Sequence, residues 1–211
     1  MKTEQLVELL ARQAGPAPRH AVERRVAMAA SLGAAGSIAG AIGALGLNAS
    51  LTDMGVALAV KLGYVVALIL SAAWFVDRIA RPGTPWRRAL WAVVGVVLAM
   101  ALLAVTVWTQ AGETQRLDLL LGRSWTSCPW RVASLSVPAL AAAMWALRGL
   151  APTRPRWAGF AAGLFAGGLG ALGYALYCPE LSPLFVLVWY TAGVLLPAAL
   201  GALLGPLLLR W

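Results

Sequence analysis

Charged residues are scarce in this chain of 211 residues, since Lys, Arg, Asp and Glu make up only 12% of it and 61% is hydrophobic. A soluble globular domain carries about 25% charged residues. The composition, with a mean hydropathy of +0.78, therefore excludes an ordinary soluble domain. Cysteine occurs only twice, at Cys128 and Cys178, and histidine once, at His20. The two separate cysteines exclude the Cys-X-X-Cys arrangement that is typical of disulfide exchangers.

What the chain does contain is long apolar runs. Six of them can be drawn, and crossing a bilayer as a helix takes roughly 20 apolar residues. The second run contains Lys61 and the fourth contains Arg131, so these two depend on their flanking residues. The sequence predicts an all-α, polytopic membrane protein with a bundle of six transmembrane helices. The predicted spans are Val26–Leu47, Gly55–Val76, Ala89–Trp108, Cys128–Leu147, Ala158–Tyr177 and Leu184–Leu209.

Basic residues are distributed unequally between the two sides of these spans. The N-terminal segment, the second loop, the fourth loop and the C-terminus are rich in arginine, whereas the opposite loops hold only Arg116 and Arg123. Basic loops stay in the cytoplasm, so both termini are predicted inside. His20 then lies on the other side of the membrane from both cysteines, and no closed zinc site is apparent. The net charge of +9 indicates this bias and attraction to anionic membrane lipids, not nucleic-acid binding, because the charges are dispersed.

The chain divides into a cytoplasmic N-terminal amphipathic segment, residues 1–25, and a transmembrane domain, residues 26–211. Leu6, Leu9 and Leu10 have the spacing of one apolar face of a short helix. This face has two interpretations. It lies on the membrane surface, or it docks into the groove of a partner protein.

Glycines recur at helical spacing on the first and fifth spans. Small residues let helices approach closely in lipid. Packing inside the bundle is the favoured interpretation of both stripes, and a homodimer through these glycine-rich faces is the alternative. The glycines are Gly33, Gly36, Gly40 and Gly43 on the first span, and Gly159, Gly163, Gly167 and Gly170 on the fifth.

Cys128 and Cys178 are each followed by proline, and both are predicted at the outer ends of neighbouring antiparallel spans. Three interpretations stay open. The pair forms a structural disulfide, which an oxidising compartment permits. It acts as a reversible thiol switch or binds a soft metal ion through two thiolates. Alternatively, both are unpaired cysteines of the core.

Three charged residues are predicted near the same outer edge: Lys61, Arg131 and Glu180. We expect Lys61 and Arg131 to extend toward the interface, as long basic side chains do at helix ends. If they point inward instead, their positive charge favours the thiolate form of a nearby cysteine. Glu180 is the candidate counter-ion.

Several segments together resemble the NrsF family. They are Met1-Lys2-Thr3, Gly15-Pro16-Ala17-Pro18, Cys128-Pro129, Trp145-Ala-Leu-Arg148-Gly-Leu-Ala-Pro152-Thr-Arg154, Gly173-Tyr-Ala-Leu-Tyr-Cys178-Pro179-Glu180, Trp189-Tyr190-Thr191 and Leu208-Leu209-Arg210-Trp211. The resemblance extends over nearly the whole chain, and the two Cys-Pro elements and the terminal segments are its most specific parts.

The resemblance implies a non-enzymatic anti-sigma factor of the bacterial inner membrane, without a cofactor. Such a protein holds an extracytoplasmic-function sigma factor and releases it under metal or oxidative stress. Cys128 and Cys178 would be the sensor thiols, in redox or soft-metal chemistry. The N-terminal segment would contact the sigma factor, which favours partner docking for Leu6, Leu9 and Leu10. A small membrane transporter and a membrane thiol-redox protein are the alternatives.

Overall fold

The computed structural model describes residues 3–5, 7–8, 20–46, 55–81, 83–150 and 152–209. Within these ranges the regular secondary structure is helical throughout, and residues 3–5 and 7–8 are helical as well. Leu6, Leu9 and Leu10 lie outside the described residues. The longer helices are α1 (Ala21–Leu45), α2 (Gly55–Ala80), α3 (Arg87–Gln110), α4 (Glu113–Leu121), α5 (Cys128–Leu135), α6 (Val137–Arg148), α7 (Pro155–Ala175) and α8 (Pro183–Leu208).

Five helices of the described part are long and apolar enough to cross a membrane, and the count is six if the bent pair α5–α6 forms one span. The chain is therefore consistent with a membrane protein. The predicted runs coincide with these helices, although α1 already begins at Ala21 and α2 continues to Ala80. Within α8, residues Val186–Tyr190 form a π-helical turn.

The predicted fourth span is not one straight helix, because α5 and α6 meet at Ser136 with a bend of 43°. Pro138 explains the bend, since proline lacks an N–H donor and its ring clashes with the preceding helical turn. The hydroxyl of Ser37, on α1, donates a hydrogen bond of 2.8 Å to the carbonyl of Leu135 at this bend. A neighbouring helix thus supplies a donor where the α-helical ladder is interrupted.

Helix α7 lies at the centre of the bundle and packs against α1, α2, α5, α6 and α8. Of its most apolar stretch, 89% is buried, compared with 17% for α3 at the periphery. Large apolar side chains project outward from the surrounding helices, among them Leu70, Leu98, Leu102 and Leu203. Small residues inside and large apolar residues outside are what a bundle in lipid requires.

The glycine stripe of α7 forms the contact with α8. A Cβ atom on Gly159 would lie 1.9 Å from the carbonyl oxygen of Gly201, and one on Gly163 would lie 2.1 Å from that of Pro197. On α1, a Cβ atom on Gly33 would lie 2.7 Å from the Cβ of Ala139, whereas Gly43 has open space. Packing inside the bundle therefore occupies these faces. A homodimer through the glycine stripe of α7 would require α8 to separate from α7.

The bundle has two chemically different ends. At one end lie Cys128, Cys178, Lys61 and Glu180, and we call this the cysteine end. At the other lie Arg25, Arg81 and Arg154, at the first turn of α1, just beyond the end of α2 and at the start of α7, and we call this the arginine end. Helix α2 extends from one end to the other.

Candidate functional site: a buried thiol cluster

Both cysteines lie at helix ends that the proline residues help to define. Cys128 is the first residue of α5, and Pro129 occupies a position in the first turn where a missing N–H is tolerated. Cys178 follows α7, and its backbone N–H donates a hydrogen bond of 3.0 Å to the carbonyl of Tyr174. Both are free thiols with an exposed fraction of 0%. They are therefore shielded from bulk water.

The structure brings the two thiols into one cluster, as their predicted position on neighbouring helix ends requires. Cys178 lies within electrostatic range of Cys128, and both thiols lie within the same range of the side chains of Lys61, Tyr174 and Tyr190. We call these five residues the thiol cluster. Helices α2, α5 and α8 and the end of α7 each contribute to it. A chemical change at either sulfur would therefore act on four parts of the bundle.

Lys61 points into this cluster, so the expectation that it extends toward the interface is wrong. Its side chain is 1% exposed. Its ammonium group donates hydrogen bonds to the carbonyls of Cys178, at 2.7 Å, and Glu180, at 3.1 Å. The ammonium nitrogen also lies 5.2 Å from the centre of the Tyr190 ring, within cation–π range. Lys61 thereby joins α2 directly to the segment that carries Cys178.

Two tyrosines complete the inner wall of the cluster. The rings of Tyr174 and Tyr190 pack with centroids 5.7 Å apart, and both side chains are 0% exposed. Within the described part of the chain, neither hydroxyl has a hydrogen-bond partner of good geometry. A buried hydroxyl without a partner costs about 1–3 kcal/mol. Both hydroxyls lie near Cys178, whose sulfur is a weak hydrogen-bond acceptor.

Arg131 and Glu180 lie at the rim of the cluster. The guanidinium of Arg131 lies 5.3 Å from the centre of the Tyr177 ring. Glu180 meets Lys61 through its backbone carbonyl, whereas its carboxylate accepts a hydrogen bond of 2.8 Å from the backbone N–H of Arg123. The contact between Glu180 and Lys61 is therefore made by the Glu180 backbone carbonyl, not by the carboxylate that was expected to act as the counter-ion. Its carboxylate instead fixes the loop before α5.

Thiol oxidation and binding of a soft metal ion through two thiolates are the two hypotheses for the chemistry of this cluster. Among the described residues, no group of three or more His, Cys, Asp and Glu side chains could hold a metal ion. A metal on the two sulfurs would also lie near the Lys61 ammonium, which repels cations. Thiol oxidation proceeds through the thiolate form of cysteine.

At the arginine end, α1 and α2 are joined by an ion-pair network. Arg81 bonds to Glu23 of α1 at 2.6 Å and to Asp77 of α2 at 2.9 Å. Arg25, also on α1, donates a hydrogen bond of 3.4 Å to the carbonyl of Ala146 on α6. The first turn of α1 is therefore attached to both α2 and α6. Residues 1–20, which make up most of the N-terminal segment, come immediately before this turn in the sequence.

Sequence reasoning missed the roles of Tyr174 and Tyr190. Tyr174 precedes Cys178 by one helical turn, and this spacing places both on one face of a helix. That signal was available in the sequence. Tyr190 lies on a different helix, and only the packing of α8 against α7 brings it to the same place.

Comparisons with known proteins agree with the resemblance described above. The family model "NrsF: Negative regulator of sigma F" matches residues 10–211. The chain is 42% identical to the "Probable anti-sigma-F factor NrsF" of Azospira oryzae and 40% identical to the "Anti-sigma-F factor NrsF" of Caulobacter vibrioides. Each match covers 100% of both proteins. No solved structure matches the chain.

Proposed function

The chain belongs to the NrsF family of negative regulators of sigma F, and we propose on this premise that it is a membrane-bound anti-sigma factor controlled by its buried thiols. Its role is regulatory, not catalytic, and the similarity to anti-sigma-F factors supports an anti-sigma role. The proposed partner is a sigma factor of the extracytoplasmic-function class. The observation that carries the control mechanism is the double hydrogen bond between Lys61 and the Cys178–Glu180 segment.

In the proposed orientation, the arginine end faces the cytoplasm and the cysteine end faces the other side of the bacterial inner membrane. Both termini are then cytoplasmic. The excess of arginine at one end of the bundle supports this orientation, because cytoplasmic loops carry the excess of basic residues. The thiols then lie in the oxidising compartment, and the N-terminal segment lies where the sigma factor is.

The proposed signal is oxidation of Cys128 and Cys178 to a disulfide by a peroxide. Both S–H bonds break, one S–S bond forms, and the peroxide accepts the two electrons and is reduced to two molecules of water. A disulfide fixes Cα atoms at about 4.4–6.8 Å and sets the dihedral angle about the S–S bond. Its formation therefore acts on the start of α5 and on the segment after α7.

The proposed path to the cytoplasm runs through α2. A shift of the Cys178–Glu180 segment changes the carbonyl positions that Lys61 binds. Helix α2 carries Lys61 near one end and is followed by Arg81 at the other, and Arg81 bonds to Glu23 in the first turn of α1. A movement or rotation of α2 would therefore act on the helix that directly follows residues 1–20. A ligand or oxidant changes such an equilibrium only by favouring one of two packings.

We propose that the N-terminal segment, with Leu6, Leu9 and Leu10 as an apolar face, contacts the sigma factor. The test is co-purification of the sigma factor with the membrane-extracted chain. Deletion of residues 1–15 should abolish co-purification, and replacement of the three leucines by serine should do the same. Serine at the exposed lipid-facing residue Leu102 is the control and should leave retention unchanged. Full retention by the deletion variant would move the contact to the loops between the helices.

A further inference from the structure

A polar cavity lies at the arginine end, away from the thiol cluster. Its volume is about 280 Å³, and it opens between the end of α2, the connection to α3 and the start of α7. Its lining includes Arg78, Arg81 and Arg154 and the hydroxyl residues Thr84 and Thr153. Three arginine residues and two threonine residues thus line one space.

The positive charge of this cavity is only partly balanced. Arg81 is paired with Asp77 and Glu23, but no acidic residue is among the described residues that line the cavity. The Nε atom of Arg78 is buried and has no hydrogen-bond partner in the described part of the chain. A buried charged donor without an acceptor is costly, so an anion at this position would be stabilised.

The cavity is also held in shape before anything binds. Trp86 forms one wall, with its ring 4.9 Å from that of Trp157, and the guanidinium of Arg154 lies 5.7 Å from the Trp86 ring. The Thr84 hydroxyl donates to the carbonyls of Arg78 and Arg81. Gly83 lies in the turn between Arg81 and Thr84, and its φ of +79° favours glycine. A cavity that already has its shape binds a ligand at a smaller cost in conformational entropy.

We propose that this cavity binds a phosphate group, supplied either by the headgroup of an anionic phospholipid or by a small phosphate compound. Guanidinium groups match phosphate oxygens in paired hydrogen bonds. Basic pockets between membrane helices on the cytoplasmic side are suited to phospholipid headgroups. The lipid source rests on the orientation proposed above, which places the cavity at the inner leaflet. Recognition of a phosphate group by the cavity does not depend on this orientation.

The test is native mass spectrometry of the full chain in a neutral detergent. Phosphatidylglycerol, diacylglycerol and glycerol 3-phosphate are titrated separately into the wild type. Phosphatidylglycerol should bind at one site and diacylglycerol should not, because it lacks phosphate. Binding of glycerol 3-phosphate as well would show that the phosphate group suffices, whereas binding of the phospholipid alone would assign the site to a lipid. Binding of diacylglycerol as tightly as phosphatidylglycerol would overturn the proposal.

The matched variants are Arg78→Gln with Arg154→Gln, and Arg87→Gln with Arg88→Gln. The second pair removes the same charge from exposed residues of α3 that do not line the cavity. The first pair should weaken phosphatidylglycerol binding at least about tenfold, the size expected for loss of a charge-assisted bond, and the second pair should not. Equal affinity in both pairs would contradict the assignment.

Hydrogen exchange of the wild type tests the same site without a variant, so its result does not depend on whether a variant folds. Added phosphatidylglycerol should slow amide exchange in the turn that contains Gly83 and Trp86, and unchanged exchange at saturating lipid would refute binding at this cavity. Neither measurement reads sigma-factor retention, so failure of one proposal is distinguishable from failure of the other.

Discussion

Replacing Lys61 with methionine is the most informative single change for the proposed path through the bundle. Methionine keeps an unbranched apolar side chain but removes both hydrogen bonds to the Cys178–Glu180 segment. A hydrogen bond to a charged group contributes about 1.5–3 kcal/mol, so the two together contribute at least about 3 kcal/mol to holding this segment on α2. The substitution also removes the free-energy cost of burying a charged ammonium group. We therefore expect a small change in global stability and a large change in local opening.

The assay is hydrogen exchange of the peptide that contains Cys178 and Glu180, in the full chain reconstituted into nanodiscs. Each 1.4 kcal/mol corresponds to a factor of ten, so the lost bonds should accelerate local exchange by on the order of 10²-fold. In the same variant, peroxide should no longer release the sigma factor at the wild-type dose, because α2 no longer follows the cysteine segment.

Tyr64→Phe is the matched control. Tyr64 lies one turn further along α2, and its hydroxyl shares a hydrogen bond of 2.7 Å with Thr191 of α8. Loss of this neutral bond costs about 1 kcal/mol and leaves Lys61 in place. Exchange in the cysteine segment should therefore rise less than tenfold. Exchange in Lys61→Met no faster than in Tyr64→Phe, together with release of the sigma factor at the wild-type peroxide dose, would contradict this path.

Three further predictions concern packing, coupling and orientation. Gly163→Ala should lower the free energy of unfolding by about 1–3 kcal/mol, because its Cβ would lie 2.1 Å from the carbonyl oxygen of Pro197. Thermal unfolding measures this loss. Gly43→Ala is the control and should cause no such loss, since the space around Gly43 is open. Glu23→Gln should leave thermal stability nearly unchanged, because its pair with Arg81 is exposed and screened by solvent. It should nevertheless shift the peroxide dose that releases the sigma factor, and an unchanged dose–response curve would remove this pair from the path. With both native cysteines replaced by serine, Thr114→Cys should react with a membrane-impermeant thiol reagent from outside in intact cells; labelling only after permeabilisation would reverse the orientation.

The sequence was sufficient to predict the helices, because the apolar runs are long and the loops are short. It did not predict the bend at Ser136, although Pro138 within a predicted span was a signal for it. The direction of the Lys61 side chain had no such signal. A lysine near the end of a span either extends to the interface or turns inward, and the choice depends on which carbonyls the neighbouring chain segments present.

The proximity of Cys128 and Cys178 could be predicted from topology, since two antiparallel neighbours with a short connection place their far ends together. The rest of the thiol cluster could not. Tyr190 comes from α8 and Lys61 from α2, and both are positioned by contacts with α7 that involve glycine and alanine faces. Such faces look alike in sequence, so their pairing becomes known only from the packed structure.

The central claim is that the oxidation state of Cys128 and Cys178 controls sigma-factor retention. The most direct measurement quantifies both in the same membranes, with differential alkylation and mass spectrometry for the thiols and co-purification for the sigma factor, across a peroxide titration. Loss of the two free thiols and loss of bound sigma factor should occur together, and Cys128→Ser and Cys178→Ser should retain the sigma factor at every dose. Release from both serine variants at the wild-type dose would contradict it.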